Sequence, residues 1–186
     1  IRRRLPPFRE PPMTTLPPPT LLLRIDRDPL AHNSRALHAL AGSARPGAAV
    51  KANCYGLGVE TCVPVLREAG CRDFFVAHWS EVPAVLRHVP PGQVAVLHGP
   101  IDAGEAAYAR AVRVRPVIDS LRQARLWLES GGGPCNLMVD TGLNRLGISP
   151  ADLPHPAVQH LEIEVLLSPV AGADDHSAMN ARHTAA

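Results

Sequence analysis

The 186-residue chain carries 19 basic and 17 acidic side chains, and 46% of its residues are apolar. Because charges of both signs are spread along the chain and the net charge is only +2, no basic stripe indicates a nucleic-acid partner. No uninterrupted apolar run approaches the roughly 18 residues that cross a bilayer, so no membrane span is predicted. A chain of this length can form one domain with a sizeable core.

The cysteines and histidines do not form a metal-binding pattern. None of the four cysteines has the paired spacing of a zinc site, and their periodic apolar surroundings favour reduced thiols in a cytosolic protein. The nine histidines are scattered, and none forms a pair four residues apart with a nearby acid. We therefore predict no metal site.

The composition changes after the first twenty residues. Residues 1–20 contain seven prolines and no apolar segment typical of a signal peptide. They are predicted to be a disordered, proline-rich leader, and residues 21–186 are predicted to form one domain. Because the chain begins with Ile1 rather than methionine, we expect a fragment or an uncertain upstream boundary.

Short apolar runs then alternate with helix-like segments. Leu21–Ile25 is predicted as a strand, and Asp28 followed by Pro29 predicts the start of a helix that reaches about Ala41. Further strands are predicted at Ala48–Ala52, Phe74–Ala77, Val94–Leu97, Val114–Ile118, Leu137–Asp140 and Ile163–Leu167. Helices are predicted near Thr61–Glu68, Glu81–His88, Ala103–Ala111 and Ser120–Glu129, with a short one near Ala157–His160.

The alternation of strands and helices predicts an α/β fold. Strands that are apolar on both faces and are separated by helices indicate a parallel sheet with right-handed crossovers. Two architectures satisfy this pattern, an open doubly wound sheet and a closed (β/α) barrel. The periodicity of the apolar residues does not choose between them.

Lys51 is the first candidate for chemistry, because it stands at the carboxyl end of a predicted strand. Catalytic groups gather at this position in α/β barrels, and partial desolvation would make the amine a nucleophile toward a carbonyl. Tyr55 and two glycines follow at once, so the backbone could approach an anion while the phenol donates a hydrogen bond. A solvated lysine before a tight turn with a packed tyrosine is the alternative interpretation.

Two further polar turns follow predicted strands. In the first, Arg145 could bind a carboxylate through two hydrogen bonds, with Asp140 or Thr141 either shaping the turn or holding the arginine. The alternative is a capped turn with a surface arginine. The second, which runs from Ser168 to Asp174 and Asp175, could be a simple connection whose acids cap the next helix.

Both candidate motifs resemble those of a known family. The segment KANCYGLG at Lys51–Gly58 strongly resembles the lysine signature of alanine racemases, usually written VVKANAYGHG. The segment VDTGLNRLG at Val139–Gly147 resembles that family's VDTGMNRLG. The resemblance covers about residues 21–182, with weaker matches that include Met179–Arg182.

The resemblance implies a fold-type III pyridoxal 5'-phosphate enzyme that interconverts L- and D-alanine, with a (β/α)8 TIM-type barrel followed by a mainly β domain. Lys51 would form the Schiff base with the cofactor and act as one proton-transfer base. Tyr55 would contact the cofactor phosphate, and Arg145 would lie near the carboxylate of the alanine substrate. The family also implies a cytoplasmic bacterial isomerase, a homodimer at full length, which supplies D-alanine for peptidoglycan.

The chain departs from the family pattern in its extent. The six predicted strands from Ala48–Ala52 to Ile163–Leu167 are the barrel candidates, whereas a barrel needs eight, and the C-terminal β domain is absent, so we expect an incomplete barrel. An unclosed parallel barrel exposes two apolar edges, which predicts a chain that is unstable or prone to aggregate by itself.

Two other departures concern the chemistry. In the family, a tyrosine from the partner subunit serves the face opposite the lysine, but the chain contains only Tyr55 and Tyr108, and Tyr108 is predicted to pack within a helix. Pro169 stands where the family commonly has a histidine beside the cofactor ring, and it is expected to disturb the sixth strand. The alternatives to an active racemase are therefore an inactive truncated fragment and a non-catalytic barrel that binds pyridoxal phosphate.

Overall fold

The computed structural model describes residues 20–170 of the chain. The predicted leader, apart from Thr20, lies outside these residues. So do the acidic pair at Asp174 and Asp175 and the segment Met179–Arg182.

The framework of the described chain is a six-stranded parallel sheet in which each strand pairs with the next one along the sequence. This arrangement confirms the α/β fold and the parallel pairing that the sequence predicts. The strands are β1 (Ala48–Ala49), β2 (Phe74–Val76), β3 (Val94–Val96), β4 (Arg115–Ile118), β5 (Pro134–Met138) and β6 (Glu162–Leu167).

Helices connect consecutive strands, as predicted. Between β1 and β2 the chain first forms a short turn, α2, before its connecting helix. The helices are α1 (Arg27–Leu40), α2 (Lys51–Tyr55), α3 (Val59–Glu68), α4 (Val82–Leu86), α5 (Ala103–Val112), α6 (Leu121–Glu129) and α7 (Pro156–Gln159). Among residues 20–170, no helix has the length and apolar character needed to cross a membrane.

The two faces of the sheet decide between the architectures that the sequence leaves open. One face packs against the helices in the main core, where Phe74, Val94 and Ile118 meet residues of α3 to α7. The opposite face carries a smaller cluster of strand and loop residues, centred on Ala95, Val117 and Met138. Doubly wound sheets carry helices on both faces and reverse their strand order, whereas barrels do neither. The structure is therefore part of a (β/α) barrel.

The chain before β1 corrects two predictions. Leu21–Ile25 is not a strand, because none of the six strands pairs with it and its leucines stay exposed to solvent. A local apolar run cannot form a strand without a neighbour to complete its hydrogen bonds. Helix α1 also begins earlier than predicted, since Asp26 rather than Asp28 is the N-cap and its carboxylate accepts the Asp28 N–H at 3.1 Å.

Several strand boundaries shift along the sequence. Strand β1 ends at Ala49 because the chain then enters α2, and β5 covers Pro134–Met138 rather than the predicted Leu137–Asp140. Val139 forms an isolated parallel bridge with Ile148 instead. Strand β6 is intact and ends before Pro169, so the expectation that this proline disturbs the strand is wrong.

All four cysteines are free thiols and are buried, which agrees with the prediction of reduced cysteines. Burial, with smaller contributions from nearby groups, raises the pKa of Cys54 to about 12 and that of Cys135 to about 12. A thiol that stays protonated is a weak nucleophile. These cysteines therefore act as core residues.

Candidate functional site

The parallel strands bring the residues that follow them to one edge of the sheet. Lys51 follows β1, while His78 and His98 follow β2 and β3. The loop that carries Arg145 follows β5, and Ser168 follows β6. In (β/α) barrels this carboxyl edge is where catalytic residues collect.

Lys51 opens α2, a turn with an unusual backbone. The four residues after it, Ala52–Tyr55, have φ between 50° and 55°, which is the left-handed region. Each such residue costs roughly 1–2 kcal/mol because its Cβ crowds the following carbonyl oxygen. Four consecutive residues in this region persist only if the surrounding structure holds them.

Hydrogen bonds from three directions hold this turn. The Val50 N–H donates to the Phe75 carbonyl at 2.8 Å, which continues the pairing of β1 with β2. The Asn53 side chain accepts the Val59 N–H at 2.9 Å and so joins the turn to the start of α3. The Glu81 carboxylate accepts the Ala52 N–H at 2.5 Å. The sheet, α3 and the segment after β2 therefore fix the position of Lys51.

Tyr55 lies beside Lys51. The Lys51 ammonium nitrogen is 6.0 Å from the centre of the Tyr55 ring, at the outer limit of a cation–π contact. The Tyr55 side chain is 63% exposed and lies outside the main core, whereas Lys51 is half-buried. The phenol is thus open to a ligand at the carboxyl edge.

The pKa of His98 is affected by burial and by the charged groups near it. Burial lowers the pKa of His98, and the nearby His78, Lys51 and Arg145 lower it further, while Glu81 opposes them. Lys51 and Arg145 therefore both disfavour protonation of His98. A neutral His98 adds no positive charge beside the lysine.

The loop Asp140–Gly147 presents Arg145 to solvent. The Asp140 carboxylate accepts the N–H groups of Gly142 at 2.9 Å and Asn144 at 3.0 Å, so it shapes the loop from inside. Hydrogen bonds between Ile148 and both Met138 and Asp140 close the loop at its base. The predicted role of Asp140 in shaping the turn is confirmed.

The ends of β5 and β6 are also joined. The Thr141 hydroxyl lies 2.7 Å from the Ser168 hydroxyl. Since both strands end at the carboxyl edge, this contact adds two hydroxyl groups to the polar surface of that edge.

Three residues of this edge were not identified from the sequence, namely His78, His98 and Glu81. The signal that could have revealed two of them was present, because His78 directly follows the predicted strand Phe74–Ala77 and His98 directly follows Val94–Leu97. Their rings pack edge to face with centroids 4.5 Å apart. Glu81 gave no such signal, since in the sequence it is only the first residue of a predicted helix.

Tyr108 and the metal prediction can also be compared with the structure. Tyr108 packs edge to face against Trp79 at 6.2 Å, next to the main core, which confirms its predicted packing role. Within residues 20–170, no three histidine, cysteine, aspartate or glutamate side chains form a cluster that could hold a metal ion.

Comparison with known proteins identifies the family. Residues 25–186 match the family model described as "Alanine racemase, N-terminal domain". This chain belongs to the alanine racemase family.

Individual alanine racemases support this assignment. The chain is 38% identical over 162 residues to the alanine racemase of Rhizobium meliloti (strain 1021), a match that covers 82% of the chain and 42% of the relative. The crystal structure of the Bartonella henselae alanine racemase, which contains covalently bound pyridoxal phosphate, superposes with a TM-score of 0.76 at 29% identity, over 87% of this chain and 50% of that one.

A third match covers similar shares of the two chains. The biosynthetic alanine racemase of Pseudomonas aeruginosa gives a TM-score of 0.73 at 30% identity, over 83% of this chain and 46% of that one. The chain thus spans about half the length, or less, of the alanine racemases it matches. The six-stranded sheet corresponds to the N-terminal barrel portion of these enzymes.

Proposed function

We propose that this chain forms the N-terminal barrel portion of a pyridoxal phosphate-dependent alanine racemase, an isomerase that interconverts L- and D-alanine. One observation carries the proposal: Lys51, which follows β1, and Arg145, in the loop after β5, lie in the two family motifs and both stand at the carboxyl edge of the barrel. Membership in the alanine racemase family supports the same reaction.

The residues at this edge fit pyridoxal phosphate. The cofactor needs an amine for its aldehyde and hydrogen-bond donors for its phosphate. Lys51 supplies a half-buried amine on a fixed turn, and Tyr55 supplies an exposed phenol next to it. When bound, the cofactor supplies an electron sink that stabilises negative charge at the α-carbon of an amino acid.

In this proposal each residue has a separate task. Lys51 holds the cofactor through its side-chain nitrogen and moves a proton at one face of the substrate α-carbon. Tyr55 donates its phenolic proton in a hydrogen bond to the cofactor phosphate. Arg145 orients alanine through its carboxylate, because a guanidinium can donate two parallel hydrogen bonds to it.

The neutral state of His98 favours this division of tasks. Lys51 must lose its proton before it can act as a nucleophile or a base. A cationic imidazole close by would assist that loss only by raising the local positive charge, and it would also compete for the anionic groups of the ligand. Because burial lowers the pKa of His98, its imidazole does not compete with Arg145 for the anionic groups of the ligand.

Racemisation requires a second base on the opposite face of the α-carbon. Neither tyrosine of the chain fits this task, because Tyr55 lies on the Lys51 turn and Tyr108 packs against Trp79. We propose that the second base comes from outside residues 20–170, in the manner of the partner-subunit tyrosine of the family. A homodimer would follow from that arrangement.

The biological setting is part of the same proposal. The relatives named above are bacterial alanine racemases. We propose that the chain acts in a bacterial cytoplasm, where its product would be used in peptidoglycan. Small amino acids rather than nucleic acids would be its ligands.

Lys51 is the only lysine in the 186 residues, which makes a direct experiment possible. Purified protein is mixed with pyridoxal phosphate, the absorbance of the lysine-bound cofactor is recorded, and borohydride then fixes the cofactor for peptide mass analysis. We expect one adduct, on the peptide that contains Lys51. An adduct on the amino terminus alone would contradict the cofactor assignment.

The double variant K51A/R35K is a matched control. Arg35 is exposed on α1, so this variant has the same number of lysines but places the amine away from the carboxyl edge. We expect the double variant to capture no more cofactor than K51A alone. If the double variant captured as much cofactor as wild type, any exposed amine would be sufficient.

Pro169, which follows β6 where the family commonly has a histidine beside the cofactor ring, favours one other candidate, a barrel that binds pyridoxal phosphate without racemising. An assay that oxidises D-alanine as it forms distinguishes the two. Capture of the cofactor with no D-alanine from purified protein would support the non-catalytic barrel, whereas turnover that depends on Lys51 would support the racemase.

A further inference from the structure

Glu81 connects two parts of the carboxyl edge. Its Oε1 accepts the Ala52 N–H at 2.5 Å, although the two residues are 29 positions apart. Its Oε2 accepts the N–H of Ala77 at 2.7 Å and that of His78 at 3.0 Å. One carboxylate therefore bridges the turn after β1 and the end of β2.

The bond to Ala52 has a special position. Ala52 directly follows Lys51 and is the first of the four residues with left-handed backbone angles. The residue is exposed, so its N–H would otherwise meet water. The Glu81 bond fixes the backbone at the point where the chain leaves Lys51.

We propose that Glu81 is a positioning residue for Lys51, which holds the lysine at the orientation needed to capture the cofactor aldehyde. This inference rests on the proposed function of Lys51. Both Glu81 oxygens accept backbone N–H groups, so in this proposal Glu81 acts through the Lys51 turn rather than on the substrate.

The chemistry of the contact requires a carboxylate. All three partners are N–H donors, so both ends of the side chain must accept hydrogen bonds. Glutamine would direct its NH₂ group at one of these donors and lose that end of the bridge. Aspartate keeps both acceptors but is one methylene shorter, so it cannot reach Ala52 and the end of β2 together.

A second glutamate gives a matched comparison. Glu105 also accepts a backbone N–H four residues before it, that of Ile101, at 2.9 Å. Its contact stays within the segment at the start of α5, whereas Glu81 also reaches across to α2. Comparing E81Q with E105Q therefore separates the bridge to Lys51 from the local cap.

The experiment compares wild type, E81Q, E81D and E105Q in the 186-residue chain. The rate of borohydride-trapped cofactor capture at Lys51 and the hydrogen exchange of the Ala52 amide are measured, with unfolding curves to check folding. Loss of one hydrogen bond to a charged group predicts roughly tenfold slower capture and roughly tenfold faster exchange in E81Q. E81D is expected to change both in the same direction, and E105Q is expected to leave both within about twofold of wild type.

Each outcome decides a different question. Slower capture in E105Q equal to that in E81Q, or unchanged capture in E81Q, would overturn the positioning role. Wild type that captures no cofactor would instead refute the proposed function of Lys51. If E81Q does not fold, exchange in wild type remains a test: the Ala52 amide should exchange slowly although its residue is exposed, and exchange at the rate of an unstructured amide would overturn the bridge.

Discussion

The imidazole rings of His78 and His98 meet edge to face, with their centres 4.5 Å apart, where β2 and β3 end. Two histidines this close disfavour simultaneous protonation. Burial is the largest cause that lowers the pKa of His98, and His78, Lys51 and Arg145 lower it further.

The first prediction concerns His98 and the loss of stability at low pH. The pKa of His98 is lower in the folded state than its ordinary value of 6.5, so the unfolded chain binds more protons between the two values. Stability is therefore expected to be full above pH about 6.5 and to fall as the pH drops through the folded-state pKa. The replacement H98N should make the unfolding free energy, measured in urea between pH 5 and 7.5 (roughly the range of a histidine), less dependent on pH. The exposed His32 provides the control H32N, and an unchanged pH dependence in H98N would contradict the prediction.

The second prediction concerns Asp119, which is expected to change the pH dependence of stability in the opposite direction to His98. Burial raises the pKa of Asp119 from 3.8 to about 6, although hydrogen bonds from Gln123 and Ser120 oppose the shift. Here the folded state binds the extra proton, so this group lowers stability as the pH rises from about 4 to about 6. We expect D119N to remove that loss. The difference in unfolding free energy between D119N and wild type should therefore shift in favour of D119N from pH about 4 to pH about 7.5.

Urea unfolding of D119N at several pH values tests this expectation. The exposed Asp152 offers D152N as a control that removes a carboxylate from the surface. A difference between wild type and D119N that stays constant across pH 4 to 6, the range set by burial of the carboxylate, would count against the prediction.

Gln123 is expected to be important for stability because it ties β3 to β4. Its buried amide donates to the His98 carbonyl at 2.7 Å and accepts the Asp119 N–H at 2.8 Å. Replacing it with alanine leaves both backbone groups without this partner, so Q123A should lower the unfolding free energy by about 2–4 kcal/mol. Q159A, which removes an exposed glutamine bonded to the Leu153 carbonyl, should cost less, and equal losses would argue against the tie.

Gly147 controls the Arg145 loop. Its φ is 124°, and a Cβ at this position would lie 2.5 Å from the Asp140 nitrogen. We expect G147A to lower the unfolding free energy by about 2–4 kcal/mol, because backbone strain and overlap act together. Denaturant unfolding of G147A and G92A tests this, since a Cβ at Gly92 meets no atom within 4 Å. Similar stability of the two variants would show that the loop relaxes easily.

The sequence predicted most of the architecture because the apolar periodicity of a parallel α/β fold is strong. The runs at Val94 and Ile163 became strands, and the helices between them formed close to their predicted positions. Leu21–Ile25 misled the prediction, since composition does not tell whether a neighbouring strand exists. To choose the barrel, one must know on which face of the sheet each helix lies. The periodicity of apolar residues does not give this information.

The site residues that lie in a short sequence motif could be predicted from the sequence. Lys51, Tyr55 and Arg145 were found in this way, although their individual roles remain proposals. His98 could have been found from its place after a predicted strand, but its burial and its proximity to Lys51 depend on the fold. Glu81 was missed because its partner Ala52 is 29 positions away in the sequence. The left-handed turn was also invisible, since alanine and cysteine have no preference for that region.

The backbone after Lys51 has a further consequence, which concerns chirality. A φ near +50° is the mirror image of the ordinary helical value, so it suits a D-residue better than the L-residues that occupy it. Any side chain that the genetic code can place at Ala52, other than glycine, has the unfavourable hand. The turn must therefore be imposed by the bonds around it, and a semisynthetic protein with D-alanine at position 52 would adopt the same shape with less resistance from its own backbone.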